Sequence, residues 1–270
     1  YDVIDYLALH QYYGGQEKGT KAFLAQTLDM EEYIKTVRSA AQVVKKKKRS
    51  GKDIKFSMDE WGVWAVPSDS VNVEVSKEPW KIAPAISEQI YTLEDALLFA
   101  GMQMVMLKNA DVIKIACQSL LTNVSACIMT EKNGGLWLQT IYYPFYYFAN
   151  YANGIVLRSN ALGPAYECDG FKHVPYLDEV VVWNDAENEI AVFIVNKSEE
   201  HSMKVEVILQ NFELKRVKCF VSMTAKDKKM TNQYDHKAVI PRSRESAVIE
   251  SGSCIAEIEP LSFNMIRIDV

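Results

Sequence analysis

At 270 residues, with 49% hydrophobic and 24% charged side chains, the chain can bury a sizeable core as one large domain or two smaller ones, which excludes a disordered polypeptide. A net charge of −5 gives no electrostatic reason to expect nucleic acid or an anionic membrane as partner, and points to a small or neutral molecule instead. The apolar stretches are too short or too interrupted to span a bilayer, and five cysteines without the close spacing of a zinc or redox motif read as reduced, buried thiols.

The opening YDVIDYLALH reads as a strand already under way, from which we expect polypeptide upstream of Tyr1. That first strand covers Val3 to Gln11 and is followed by the polar Gly-rich loop GGQEKGT. A helix is expected from Met30 to Lys48, with Tyr33, Ile34, Val37, Ala41 and Val44 on its packed face. The second strand, Ile54 to Trp61, places Ile54, Phe56, Met58 and Glu60 on one side by the two-residue period, with Glu60 at its C-terminal end. After a loop containing Pro67 and Pro79, Thr92 and Asp95 form a capping-box start to a helix through Leu93, Leu97, Met104 and Leu107. A third strand spans Val112 to Leu121. The aromatic segment LWLQTIYYPFYYFANYANG reads as a last helix, with Pro144 near its beginning and Gly154 at its close.

From there the pattern changes. EVVVWN, EIAVFIVN, HSMKVEVILQ, RVKCFVSM, SAVIES and FNMIRIDV are period-two strands without intervening helices, and Asn184-Asp185 and Ser251-Gly252 sit where turns are needed. Residues 1–155 thus read as βα units around a parallel sheet, and 156–270 as an antiparallel β-sandwich.

Each strand of the first part ends in polar or aromatic residues: His10 and Tyr12, then Asp59 to Trp64, then Gln118 and Asn123. In a βα barrel the active site gathers at those C-terminal ends. A carboxylate among Tyr12, Tyr13, Trp61 and Trp64 suits sugar chemistry, because flat rings cover C–H faces while the carboxylate attacks or stabilises an oxocarbenium-like centre. For an arbitrary Asp-Glu pair, capping a strand beside a basic neighbour is the ordinary role. Trp80 is a further subsite candidate, because loops after barrel strands border the active face. The basic run Lys45 to Arg49 ends a helix, where positive charge complements the dipole, and His173, His201 and His236 lack partners at metal-ligand spacing.

The blocks DYLALHQYYGG, MDEWGVW, EPWKIAP, IYTLEDALL, VIKIAC, IMTEKNGG and QTIYYPF, in this order, closely resemble the α-L-arabinofuranosidases of glycoside hydrolase family 51. The resemblance implies the C-terminal part of a (β/α)8 barrel, strands six to eight, followed by a jelly-roll-like sandwich. It implies a retaining hydrolase of terminal non-reducing α-L-arabinofuranosyl groups in arabinan, arabinoxylan or their oligosaccharides, without cofactor or metal. Glu60 corresponds to the nucleophile, and Tyr12 to the residue that orients it. His10, Trp61, Trp64, Trp80 and Gln118 are the expected substrate contacts. It further implies a bacterial cytoplasmic setting and a homo-oligomer, often a hexamer.

The chain departs from the family pattern in three places. Family members usually read DEWNVW, where this chain has Gly62, and IACLAQLVN, where it reads IACQSLLTN, so that Leu120 stands at a sugar-contacting Gln. The acid/base Glu of the family lies in an Asn-Glu pair upstream of Tyr1. Asn188-Glu189 does not replace it, since it reads as a hairpin turn, and Asn196 to Glu200 is also polar turn material. The missing barrel half is therefore an expected partner, and the chain alone is expected to be inactive. The rival readings are a β-xylosidase or endoglucanase on the same scaffold, and a non-catalytic carbohydrate-binding or assembly module.

Overall fold

The computed structural model describes residues 1–64, 77, 79–82, 84 and 87–270, so Pro67 lies outside the described residues. The first sheet is parallel, in the order β1 (Tyr6–Tyr13), β2 (Lys55–Val63), β3 (Ile113–Ala116). Between β1 and β2 the chain forms a 3-10 turn, Gln16–Lys18, then helices α1 (Thr20–Leu24) and α2 (Gln26–Lys48). The Gly-rich segment expected as a loop therefore coils almost at once, because Gly15 and Gly19, both at positive φ, turn the chain sharply on either side of the 3-10 turn. Helix α2 is buried only at Thr27, Met30 and Ile34, in its first half, and Val44 is exposed instead of packed.

Helix α3 (Leu93–Lys108) starts at the expected capping box: the Thr92 hydroxyl accepts from Asp95 N, and the Asp95 carboxylate accepts from Thr92 N. Strand β3 stops at Ala116, short of Leu121, and the chain then turns through Gln118 to Ser125 into the hairpin β4 (Ile128–Thr130) and β5 (Leu136–Leu138). The aromatic segment is thus a strand first and a helix second, α4 (Tyr142–Tyr151), because Gln139 interrupts it. Its fully buried amide donates to Gln89 O and Ala126 O and accepts from Tyr91 N.

Eleven further strands follow: β6 (Ile155–Leu157), β7 (Ala165–Cys168), β8 (Phe171–Pro175), β9 (Leu177–Asn184), β10 (Glu189–Asn196), β11 (Met203–Val207), β12 (Arg216–Met223), β13 (Arg242–Arg244), β14 (Val248–Glu250), β15 (Ser253–Ile258) and β16 (Ser262–Asp269). Six form one antiparallel sheet, β13-β12-β16-β10-β9-β6; a second sheet, β11-β15-β14, faces it, and β7-β8 is a separate hairpin. The β14–β15 hairpin turns at Ser251-Gly252, both at positive φ, as a two-residue loop requires. Strands β6, β7, β8, β13 and β15 were not anticipated. Most of these are short, and the period-two signal needs more residues than they offer.

Every residue of β10 is buried, which explains its unbroken apolar run. Ile190, Val192 and Ile194 enter the core between the two sheets, while Ala191, Phe193 and Val195 enter the core shared with the helices. The six-stranded sheet is therefore a middle layer, with Phe148 of α4 stacked on Phe193 at 4.3 Å.

An ionic cluster lies at one end of this sheet. Glu189 accepts two hydrogen bonds from Arg267 at 2.6 Å and one from Lys218 at 2.8 Å, and the Arg267 guanidinium lies 4.4 Å from the centre of the Tyr151 ring of α4. The Asn188-Glu189 pair is thus structural. Beyond β10, the expected polar turn is largely buried: the Asn196 amide donates to His201 O, Ile258 O and Glu259 O.

Burial alone would raise the Glu189 pKa, but hydrogen bonds from Arg267 and Lys218 hold it below the ordinary 4.5. A carboxylate depressed in the folded state stabilises above its unfolded pKa and loses that contribution as pH falls through the folded value. Thermal unfolding is expected to show stability declining below about pH 4.5, with a shallower decline in Glu189→Gln. An unchanged acid limb in that variant would assign the acid sensitivity elsewhere.

Candidate active site

The three strands of the first sheet run parallel, so their C-terminal ends share one face. There the register slips: Leu9 pairs with Met58 but His10 pairs with Glu60, leaving Asp59 as an extra residue in β2. This bulge overturns the simple alternation expected for β2. Phe56 and Met58 enter the helix-facing core, yet so does Trp61, three residues on, and Glu60 is released to the open face with Asp59. Trp61 is consequently not a pocket residue: it is 1% exposed, its ring centred 4.5 Å from that of Phe99.

His10 lies between the two carboxylates, Nδ1 at 3.6 Å from Glu60 Oε2 and Nε2 at 3.5 Å from Asp59 Oδ1, with all three side chains about half-exposed. Tyr12, two residues past His10 on β1, lies near enough to Glu60 for the carboxylate's charge to act on its hydroxyl. Burial raises the Tyr12 pKa above its ordinary value, and the negative charge of Glu60 raises it further. Tyr12 also meets Trp64 edge-on at 6.2 Å. Residue 62, opposite Tyr12 in the register, has no side chain, and a Cβ there would meet the Tyr12 ring at 3.6 Å.

Trp64 is fixed through its backbone. Its N–H donates to Tyr13 O at 2.6 Å, and its carbonyl accepts from the Gln16 amide, which also donates to Asp95 at 2.9 Å. The close approach needs Gly14, where a Cβ would stand 2.9 Å from Trp64 O.

His10, Tyr12, Glu60 and Trp64 therefore come together. Gln118 is turned into its own loop, donating to Ser125 O at 2.8 Å and accepting from Cys127 Sγ at 3.6 Å. Leu120 is exposed, and Trp80 stands 98% exposed in the loop after β2. Of the thiols, Cys117 is exposed, contrary to the expectation of burial, while Cys127 and Cys254 are buried. Among the described residues no cluster of three His, Cys, Asp or Glu is arranged to hold a metal, and no helix is long and apolar enough to cross a membrane.

The family model for the α-L-arabinofuranosidase C-terminal domain matches residues 59–262, from the first carboxylate of this site almost to the end of the sandwich. The chain belongs to the α-L-arabinofuranosidase family. It is 39% identical over 268 residues to an intracellular exo-α-(1→5)-L-arabinofuranosidase of Bacillus subtilis, and 40% identical over 268 residues to one of Halalkalibacterium halodurans. Each match takes in 99% of this chain and 53% of the relative, so the chain spans about half the length of these α-L-arabinofuranosidases. A solved family 51 α-L-arabinofuranosidase from Bifidobacterium longum superposes with a TM-score of 0.90 at 28% identity, covering 99% of this chain and 53% of that one. An arabinofuranosidase from Thermotoga maritima shares the fold at 20% identity, with a TM-score of 0.81 over 100% of this chain and 53% of its own. The fold is thus the C-terminal part of a (β/α)8 barrel followed by an antiparallel β-sandwich.

Proposed function

We propose that this chain is the nucleophile-bearing portion of a retaining exo-α-L-arabinofuranosidase. The observation that carries the reading is Glu60 at a barrel strand end, between the His10 imidazole and the Tyr12 hydroxyl, in a family of arabinofuranosidases. Glu60 attacks the anomeric carbon of a terminal non-reducing arabinofuranosyl group as the glycosidic oxygen leaves with a proton, giving a covalent arabinosyl-enzyme that water then hydrolyses. Tyr12 holds the carboxylate in its attacking orientation, and His10 and Trp64 border the sugar.

Retention needs a second carboxyl about 5 to 5.5 Å away, acid in the first step and base in the second. We assign it, with the remaining barrel strands, to polypeptide outside these 270 residues. Both edges of the three-stranded sheet support this assignment: Tyr6, Leu7 and Ile115 are exposed, and three strands do not close a barrel. By family resemblance the complete protein is a cytoplasmic homo-oligomer, a hexamer in many members, and the names of its relatives specify α-(1→5)-linked substrates.

Purified alone, the 270-residue chain is expected to give no measurable turnover of an aryl α-L-arabinofuranoside. Turnover by the isolated chain would refute the need for an external acid/base. In the full-length polypeptide, faster cleavage of an aryl β-xyloside than of the arabinofuranoside would favour the xylosidase reading that Gly62 and Leu120 keep open.

A further inference from the structure

We propose that Gln16 is a positioning residue for Trp64, fastening the end of β2 to the start of helix α3 so that the indole keeps its place beside the sugar. The inference deepens the function proposed above and rests on it for the sugar contact of Trp64. A primary amide carries two N–H donors. Those of Gln16 go to two different elements: the carbonyl of Trp64, just past β2, at 3.4 Å, and Oδ1 of Asp95, in the first turn of α3, at 2.9 Å. Gln16 itself opens the 3-10 turn after β1, so three segments distant in the chain meet at one side chain.

Each end of this link is held. Asp95 is 2% exposed, and while Oδ1 accepts from Gln16, Oδ2 accepts from the N–H and the hydroxyl of Thr92 at 2.8 Å each. A buried carboxylate retains its donors, because losing one leaves a desolvated oxygen unpaired. Gln16 is therefore fixed on α3. At the other end, the Trp64 N–H continues the β1–β2 ladder to Tyr13 O at 2.6 Å, and Gly14 allows so close an approach that a Cβ there would stand 2.9 Å from Trp64 O. Both polar groups of the Trp64 backbone are thus engaged, which sets the Cα–Cβ bond about which the indole takes its rotamer. The edge-on contact with Tyr12 at 6.2 Å lets the indole slide along that ring, so its direction is set chiefly from the backbone.

The first test labels the 270-residue chain with 5-fluorotryptophan, which gives five 19F signals, that of Trp64 being identified by its loss in Trp64→Phe. Gln16→Met keeps the length of the side chain and removes both donors; it is expected to shift or broaden the Trp64 signal and to leave Trp61, whose ring lies 4.5 Å from Phe99 of α3, unchanged. If Gln16→Met unfolds because it strands the buried Asp95 oxygen, Gln16→Met/Asp95→Asn relieves that charge and is read in the same way. A Trp64 signal identical to that of the unsubstituted chain would overturn the proposal. In the full-length polypeptide, Gln16→Met is expected to raise KM on an aryl α-L-arabinofuranoside about three-fold or more with kcat nearly unchanged, since a lost hydrogen bond that serves binding is felt before the chemical step. The same substitution in a Trp64→Ala background is expected to add nothing to KM, and an undiminished rise there would show that Gln16 acts on something other than Trp64. The 19F result does not depend on hydrolysis, so a Trp64→Ala polypeptide with unaltered KM would refute the sugar contact of Trp64 and not the hold of Gln16 upon it.

Discussion

Replacing Glu60 with alanine in the full-length polypeptide is expected to lower kcat/KM on an aryl α-L-arabinofuranoside by on the order of 10⁴-fold or more, because under the proposed two-step mechanism it removes the nucleophile and with it the covalent route. That loss corresponds to about 5 kcal/mol or more of transition-state stabilisation. Azide should restore part of the rate and give the glycosyl azide of inverted configuration, since the small anion attacks from the position the carboxylate vacated. An azide product of retained configuration would show that Glu60 serves as the acid/base instead. Tyr12→Phe keeps the ring against Trp64 while removing the hydroxyl near Glu60, and so separates orientation of the carboxylate from packing.

The largest effect on stability is expected from Lys197→Ala. The Lys197 side chain is 1% exposed, and its ammonium lies 2.9 Å from Asp178 Oδ2, outside hydrogen-bonding geometry, so charge holds the pair. The same carboxylate accepts from Thr27 of α2 at 3.3 Å, and Gly101 of α3 packs so tightly there that a Cβ would stand 2.5 Å from the Thr27 methyl. The pair therefore fastens the middle sheet to the helices of the barrel part. Breaking a buried pair from one side leaves an uncompensated charge and costs about 3–5 kcal/mol. The double variant Lys197→Met/Asp178→Asn removes both charges and should cost less than Lys197→Ala, as chemical denaturation of the three proteins can measure. Equal losses would mean that the space vacated, and not the stranded charge, sets the cost.

How much of this was legible in advance varies along the chain. The capping box at Thr92 and Asp95 could be placed from sequence because its signal is local: two side chains three residues apart satisfy each other's backbone donors. Strand β10 announced itself as strongly, by an apolar run that only burial on both faces allows. Strand β5 did not, since LWLQ carries no turn signal before the aromatic helix, and its pairing is with a strand reached through a separate loop.

The site divides in the same way. Glu60 is proposed from the segment MDEWGVW, and His10 and Tyr12 from their two-residue spacing, which keeps both on one face of β1. Trp61 was misplaced because alternation was carried through Asp59, and the bulge there exists only in the pairing of β2 with β1. Gln118 shows the same limit, because the loop after β3 closes on Ser125 and Cys127 and takes its amide with it. The sequence by itself thus determined the family, the strand-end carboxylate and the division into barrel and sandwich, all written in local pattern. The tertiary structure decided which side chains reach that carboxylate, because strand register and loop closure are contacts between residues distant in the chain.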